Sequence, residues 1–176
     1  MTKLIVIAGV DGAGTTTHTD LLAAALRAEG VDAVAWHHTR PGLGAPWLDA
    51  LAYAQQRADL AASGPRAAVL VVDRWWHSTL FEGRALRLGA LRSLADAEAL
   101  ALPRSTALFV LDAADDVLDA RITARGETVG PLDPARRAAY RDFSVVRGLR
   151  VDTSAPVAEV TRTLLRASLV AIGGAQ

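Results

Sequence analysis

The stretch Leu4-Ile5-Val6-Ile7-Ala8-Gly9-Val10-Asp11-Gly12-Ala13-Gly14-Thr15-Thr16-Thr17 joins an apolar run to a glycine-rich turn and then to a row of hydroxyls. Leu4–Ala8 has no polar alternation, which suits a strand buried on both faces. From Thr16 to Glu29 the pattern changes period. Leu21, Leu22, Ala25 and Leu26 recur at helical spacing, and Gly30 stops the run. The segment therefore reads as strand, tight turn, helix. Glycines in such a turn let backbone N–H groups face an anion, and the helix N-terminus adds its partial positive charge.

Spacing sharpens that reading. Gly9 and Gly14 satisfy the Gly-x4-Gly half of a P-loop, and the strand before and helix after are the context it requires. The expected donor-phosphate residues are Gly9, Gly12, Ala13, Gly14, Thr15, Thr16 and Thr17, with the Thr16 hydroxyl placed to ligate Mg²⁺. Position 15 departs from the motif. It demands Lys, and this chain has Thr, which donates one hydrogen bond and brings no charge. A glycine-rich turn without phosphate function is the competing reading.

Outward from this turn, short apolar runs alternate with helical patterns. Strands are expected at Leu4–Ala8, Ala33–Trp36, Ala68–Val72, Ala107–Leu111 and Leu149–Val151. Helices are expected at about 16–29, 46–62, 78–101, 115–125, 134–147 and 156–171, with Pro134 and Pro156 near first turns. The pattern implies one α/β domain over 1–176, a three-layer P-loop fold whose five-stranded parallel sheet carries helices on both faces. Ligands bind at the carboxyl ends of strands in such sheets, so the chemistry is expected just after residues 8, 36, 72 and 111.

Composition narrows the partners. The 176 residues are 51% hydrophobic, enough for a single core and too apolar for disorder. Nineteen basic residues balance nineteen acidic ones, which argues against a nucleic-acid polymer as partner. There is no Cys, hence no disulfide or thiolate chemistry. No apolar run approaches the roughly 20 residues that span a bilayer, and nothing at the start reads as a signal peptide. No membrane partner and a cytoplasmic location are expected. Eighteen of the basic residues are Arg and one is Lys, Lys3.

Five segments in order resemble the thymidylate kinase family of nucleoside monophosphate kinases. Gly9–Gly14 with Thr16-Thr17 resembles its P-loop without the Lys. Thr39-Arg40-Pro41-Gly42 resembles its Thr-Arg-Glu-Pro-Gly segment without the Glu. Tyr53-Ala54-Gln55-Gln56-Arg57 resembles its Phe-x-x-x-Arg turn. Asp73-Arg74-Trp75 with Ser78-Thr79 resembles its Asp-Arg-Tyr/His segment, and Arg121–Glu127 resembles the Arg-x-x-x-Arg-Gly-Glu start of its lid. The resemblance implies ATP as phosphoryl donor, Mg²⁺ as cofactor, nucleotide substrates, a short lid at about 125–137 and a homodimer. Arg40 and Arg74 would hold the acceptor phosphate. Tyr53 would stack on its base, with Arg57 and Thr79 reading the edge, and Asp11 would face the sugar. Asp73 would act through the metal or orient the acceptor, and Arg121 and Arg125 would close over the donor phosphates.

Structural readings stand beside these. Asp73-Arg74 suits a surface ion pair, Tyr53 the core, and Arg121 with Arg125 a solvated helix face. Trp75 and Trp76 read as packing, His18 as a surface residue, and His37 and His38 receive no role. Lys3 lies at the wrong end of the first strand to replace the missing lysine, which leaves Arg121, Arg125, Arg136 and Arg137 as sources of charge. The acceptor side near Phe81-Glu82 also departs from the family pattern. Three functions compete: an ATP-dependent kinase of a nucleoside monophosphate such as dTMP, a non-catalytic nucleotide-binding pseudokinase, and a hydrolase or transferase that does not use ATP.

Overall fold

Each apolar run becomes a strand, and all five pair in parallel. The structure is a computed structural model describing residues 2–142 and 148–173. Its elements run β1 (Lys3–Gly9), α1 (Thr15–Ala28), β2 (Ala33–His37), α2 (Pro46–Ser63), β3 (Val69–Asp73), α3 (Trp76–Ala85), α4 (Gly89–Ala101), β4 (Ala107–Asp112), α5 (Asp115–Ala124), α6 (Asp133–Arg141), β5 (Leu149–Asp152) and α7 (Val157–Gly173). The sheet order is β2-β3-β1-β4-β5. Helices cover both faces: α1 packs on β1, β2 and β3 and against α7, while α3 packs on β1 and carries α4 and α6.

Central position explains the composition of β1. Ile5, Val6, Ile7 and Ala8 are wholly buried, as are Val71 and Val72 of β3 and Leu111 of β4. Chain direction reverses around β1: α1 carries the chain outward past β3 to β2, whereas the connection after β3 crosses to β4 on the other side. A crevice opens at such a switch point, and ligands use it. Among the described residues, no helix is long and apolar enough to cross a membrane.

One expected element divides. The helix expected over 78–101 is two, α3 and α4, broken at Leu86–Leu88. The amides of Leu86 and Leu88 return to the carbonyls of Glu82 and Gly83 at 2.9 Å each, and Arg87 adopts a positive φ of 55°. Gly83 lets α4 fold back, since a Cβ there would lie 3.0 Å from the Leu91 Cβ. No Gly or Pro marks residues 86–88, so helical periodicity runs through the turn unbroken. Of the helix expected over 134–147, α6 ends at Arg141, and 143–147 of the expected span lie outside the described residues.

A left-handed Arg is strained where Gly is not. Arg87→Gly is expected to raise stability by about 0.5–1 kcal/mol. Arg92→Gly, inside α4, is expected to lower it by about 1 kcal/mol. Urea denaturation of the two variants gives opposite shifts in midpoint if the break is as described.

Candidate active site

The turn after β1 is built by close approach. A Cβ on Gly9 would lie 2.8 Å from the Leu111 carbonyl oxygen of β4, and one on Gly12, at φ 84°, would lie 2.9 Å from that of Leu118 in α5. Neither position admits a side chain. Arg121 fastens the turn from outside, donating to the Gly12 carbonyl at 3.3 Å and to the Thr153 carbonyl at 2.6 Å. Thr15 turns its methyl group over Gly9, 3.0 Å from where a Cβ would stand, and is buried.

A cavity of about 540 Å³ opens against this turn, at the ends of β1, β2 and β3. That size suits a small-molecule site. Asp11, Gly12, Gly14, Thr15 and Thr16 line it, with Arg40, Tyr53, Arg57, Asp73, Arg74, Thr79, Arg125 and Arg136. Most of the residues expected from the sequence therefore meet at one place. Gly9 and Ala13 are buried and Thr17 is exposed, and these three do not line the cavity. Arg121 does not line it either: its guanidinium is spent on backbone carbonyls beneath the turn and on the Thr153 hydroxyl.

Five arginines line the cavity, each in a different electrostatic state. Arg57 is 2% exposed and makes a bidentate pair with Glu98 of α4 at 2.6 and 2.8 Å, plus a 2.8 Å bond to the Thr79 hydroxyl. Arg74 takes a positive φ of 70° at the end of β3 and donates to Asp11 at 2.8 Å. Burial works against charge on Asp11, yet Arg74, with Arg136 and Arg40 beyond it, holds that carboxyl below its ordinary range. Arg136 grips Glu82 at 2.6 to 3.0 Å. Half-exposed Arg125 meets Glu127, itself half exposed, at 2.9 Å. Arg40, at the mouth, has no acidic partner among the described residues.

The four candidate replacements for lysine separate on this basis. Arg137 is 4% exposed, bonded to Asp119 and 3.7 Å from Asp115, so it is ruled out as a free charge. Arg121 and Arg136 are committed as described. Lys3 starts β1 and donates to the Ile172 carbonyl, at the far end of the strand from the turn.

Three histidines correct the sequence reading. His18 is 3% exposed rather than solvated; it packs beneath Gly14 and lies 3.2 Å from the Thr161 hydroxyl of α7. Burial, with nearby Arg121, lowers its pKa. His38 lines the cavity, edge-on to Trp36 and Tyr53 with centroids 4.5 and 5.2 Å away. Its Nδ1 donates to the Asp73 carbonyl at 2.9 Å, and burial pushes its pKa down to about 4, so the ring is neutral. His37 lies between two carboxylates, 2.9 Å from Asp20 and 3.4 Å from Asp73. Burial opposes its charge, but the bonds to Asp20 and Asp73 prevail and raise its pKa. The signal for His37 was its place at a strand end. That β2 lies beside β3 was not visible in the pattern.

Thr16 donates to Asp73 Oδ2 at 2.6 Å, while Asp73 Oδ1 is buried without a partner. Hard oxygens of this kind suit Mg²⁺, which uses one or two protein ligands and completes its shell with phosphates and water. The pair fits the ion. No protein-family model and no curated protein matches the chain.

Glu98→Ala would leave Arg57 buried and unpaired, and is expected to cost about 3–5 kcal/mol in urea denaturation. Glu98→Gln keeps one acceptor and costs less. His77, stacked on Trp76 at 3.8 Å, supplies a pH test. Burial, with Arg57 nearby, pushes it from 6.5 to about 4. Between those values the unfolded chain binds the extra proton, so stability falls as pH drops through this window. This group contributes up to about 1.4 kcal/mol per pH unit, and His77→Phe is expected to flatten the fall.

Proposed function

We propose that this chain is a Mg²⁺-dependent phosphotransferase of the thymidylate kinase kind, passing the ATP γ-phosphoryl group to a nucleoside monophosphate. The observation that carries the reading is Arg40: an exposed guanidinium without an acidic partner among the described residues, lining with Arg74 a cavity that begins on a P-loop-like turn. Two arginines at this spot suit a phosphate dianion. Tyr53 and the Arg57–Thr79 pair lie at the same cavity and offer a base a flat ring and donors.

Phosphoryl transfer depends mainly on positioning and on charge placed against the transferring group. Thr16 and Asp73 would hold the metal, which when bound neutralises charge on the donor phosphates. The amides of Gly12, Gly14, Thr15 and Thr16 bind those phosphates from below, while that of Ala13 closes the turn on the Val10 carbonyl. Arg125 takes over the lysine's charge. Its exposed pairing with Glu127 is worth little, so a triphosphate can draw it away.

The test is coupled ATP consumption over a panel of nucleoside monophosphates with Mg²⁺. Turnover with at least one acceptor is expected, and none with any acceptor would sink the reading. Arg125→Ala is expected to lower kcat about 10²–10³-fold with acceptor KM unchanged. Arg40→Ala is expected mainly to raise acceptor KM. Thr15 favours a second reading, a pseudokinase that binds a monophosphate without ATP. Calorimetry then gives monophosphate binding with negligible ATP affinity.

A further inference from the structure

Asp73 is held by more than the P-loop hydroxyl. His37 and Asp73 end adjacent parallel strands and are direct partners in the β2–β3 register. Thr16 and Asp20 stand four residues apart on α1, hence on one face of that helix. The two geometries bring four side chains into one line: Thr16 Oγ1 to Asp73 Oδ2 at 2.6 Å, Asp73 Oδ2 to His37 Nδ1 at 3.4 Å, and His37 Nε2 to Asp20 Oδ1 at 2.9 Å. Exposure rises along the line, from 12% for the Asp73 side chain to 31% for His37 and 62% for Asp20. Asp73 Oδ1, by contrast, is buried and has no partner.

A carboxylate with one oxygen engaged from two sides cannot turn about its Cβ–Cγ bond without breaking both contacts. The other oxygen is then presented in one direction. We propose that His37, anchored by Asp20, is a positioning residue for the metal site: with Thr16 it engages Asp73 Oδ2 and reserves Oδ1 for Mg²⁺ or one of its waters. Partners behind a metal-binding carboxylate typically govern affinity about 10–100-fold. Among the described residues, neither Asp20 nor His37 hydrogen-bonds a glycine of the turn or an arginine of the cavity through its side chain. The inference rests on the metal site of the proposed function and is read without turnover.

Calorimetric titration of the full chain with ADP, once with Mg²⁺ and once with EDTA, isolates the contribution of the ion. Wild type is expected to bind ADP more tightly with Mg²⁺. His37→Ala is expected to lose about 10–100-fold of that gain while its affinity in EDTA stays at the wild-type value. His37→Asn, whose amide nitrogen takes the position of Nδ1 and can still donate to Asp73, is expected to recover part of it. Asp20→Asn, at an exposed position, is expected to weaken the gain and serves if His37→Ala does not fold. Equal Mg²⁺ dependence in wild type, His37→Ala and Asp20→Asn overturns the inference, as does a wild type without Mg²⁺ dependence. Mg²⁺-dependent ADP binding that is lost in the variants, in a chain that turns over no acceptor, upholds this inference and removes the kinase reading.

Discussion

β1 is hydrogen-bonded on both sides, to β3 through Lys3–Ile7 and to β4 through Ile5–Gly9, and this double pairing governs everything built at its end. Parallel pairing brings the carboxyl ends of three strands to one edge, so the turn after Gly9, the Asp73-Arg74 step and the Asp112–Ala113 step open on the same side. The tightness of the β1–β4 contact leaves no room for a side chain at Gly9. Gly12 is constrained in the same way by α5. The geometry of the turn is therefore imposed from beneath, by strand and helix backbone, whatever occupies position 15.

That separation lets a P-loop-like turn form without a lysine. The cradle of amides depends on glycines and on neighbours that are all present. The missing element is a mobile charge. Around the cavity positive charge is carried by arginines, most of them committed: Arg57 to Glu98, Arg74 to Asp11, Arg136 to Glu82. Such pairs orient guanidinium groups without leaving strong unbalanced fields, which agrees with a net charge of zero over the chain. Arg40 and Arg125 stand apart, one without an acidic partner among the described residues and one weakly paired, and they lie on the sides where acceptor and donor phosphates are proposed to bind.

Much of the site was legible because its residues sit at strand ends. Asp11, Arg40, Asp73 and Arg74 each lie within four residues of the end of an apolar run, and the parallel α/β pattern alone says such positions converge. Tyr53 and Arg57 were visible as a pair one helical turn apart. Glu98 was not visible. It lies in the stretch read as one long helix, and only the turn at Leu86–Leu88 swings α4 back to place its carboxylate beside Arg57. His18 was misread for a similar reason, since the face it occupies is covered by α7, more than a hundred residues away in sequence.

The order of strands and helices, the glycine-rich turn and the lack of a lysine near it follow from local pattern and composition, which are properties of neighbours in the chain. Which charges are free and which are spent is decided between elements far apart in sequence. Arg121 looked like a lid residue and is a clamp on Gly12 and Thr153; Arg137 looked available and is buried with Asp119; His37 looked idle and joins Asp20 to Asp73. Hydrogen bonds and ion pairs of this kind act over a few ångströms, so they exist only once strand order and helix packing have set the distances.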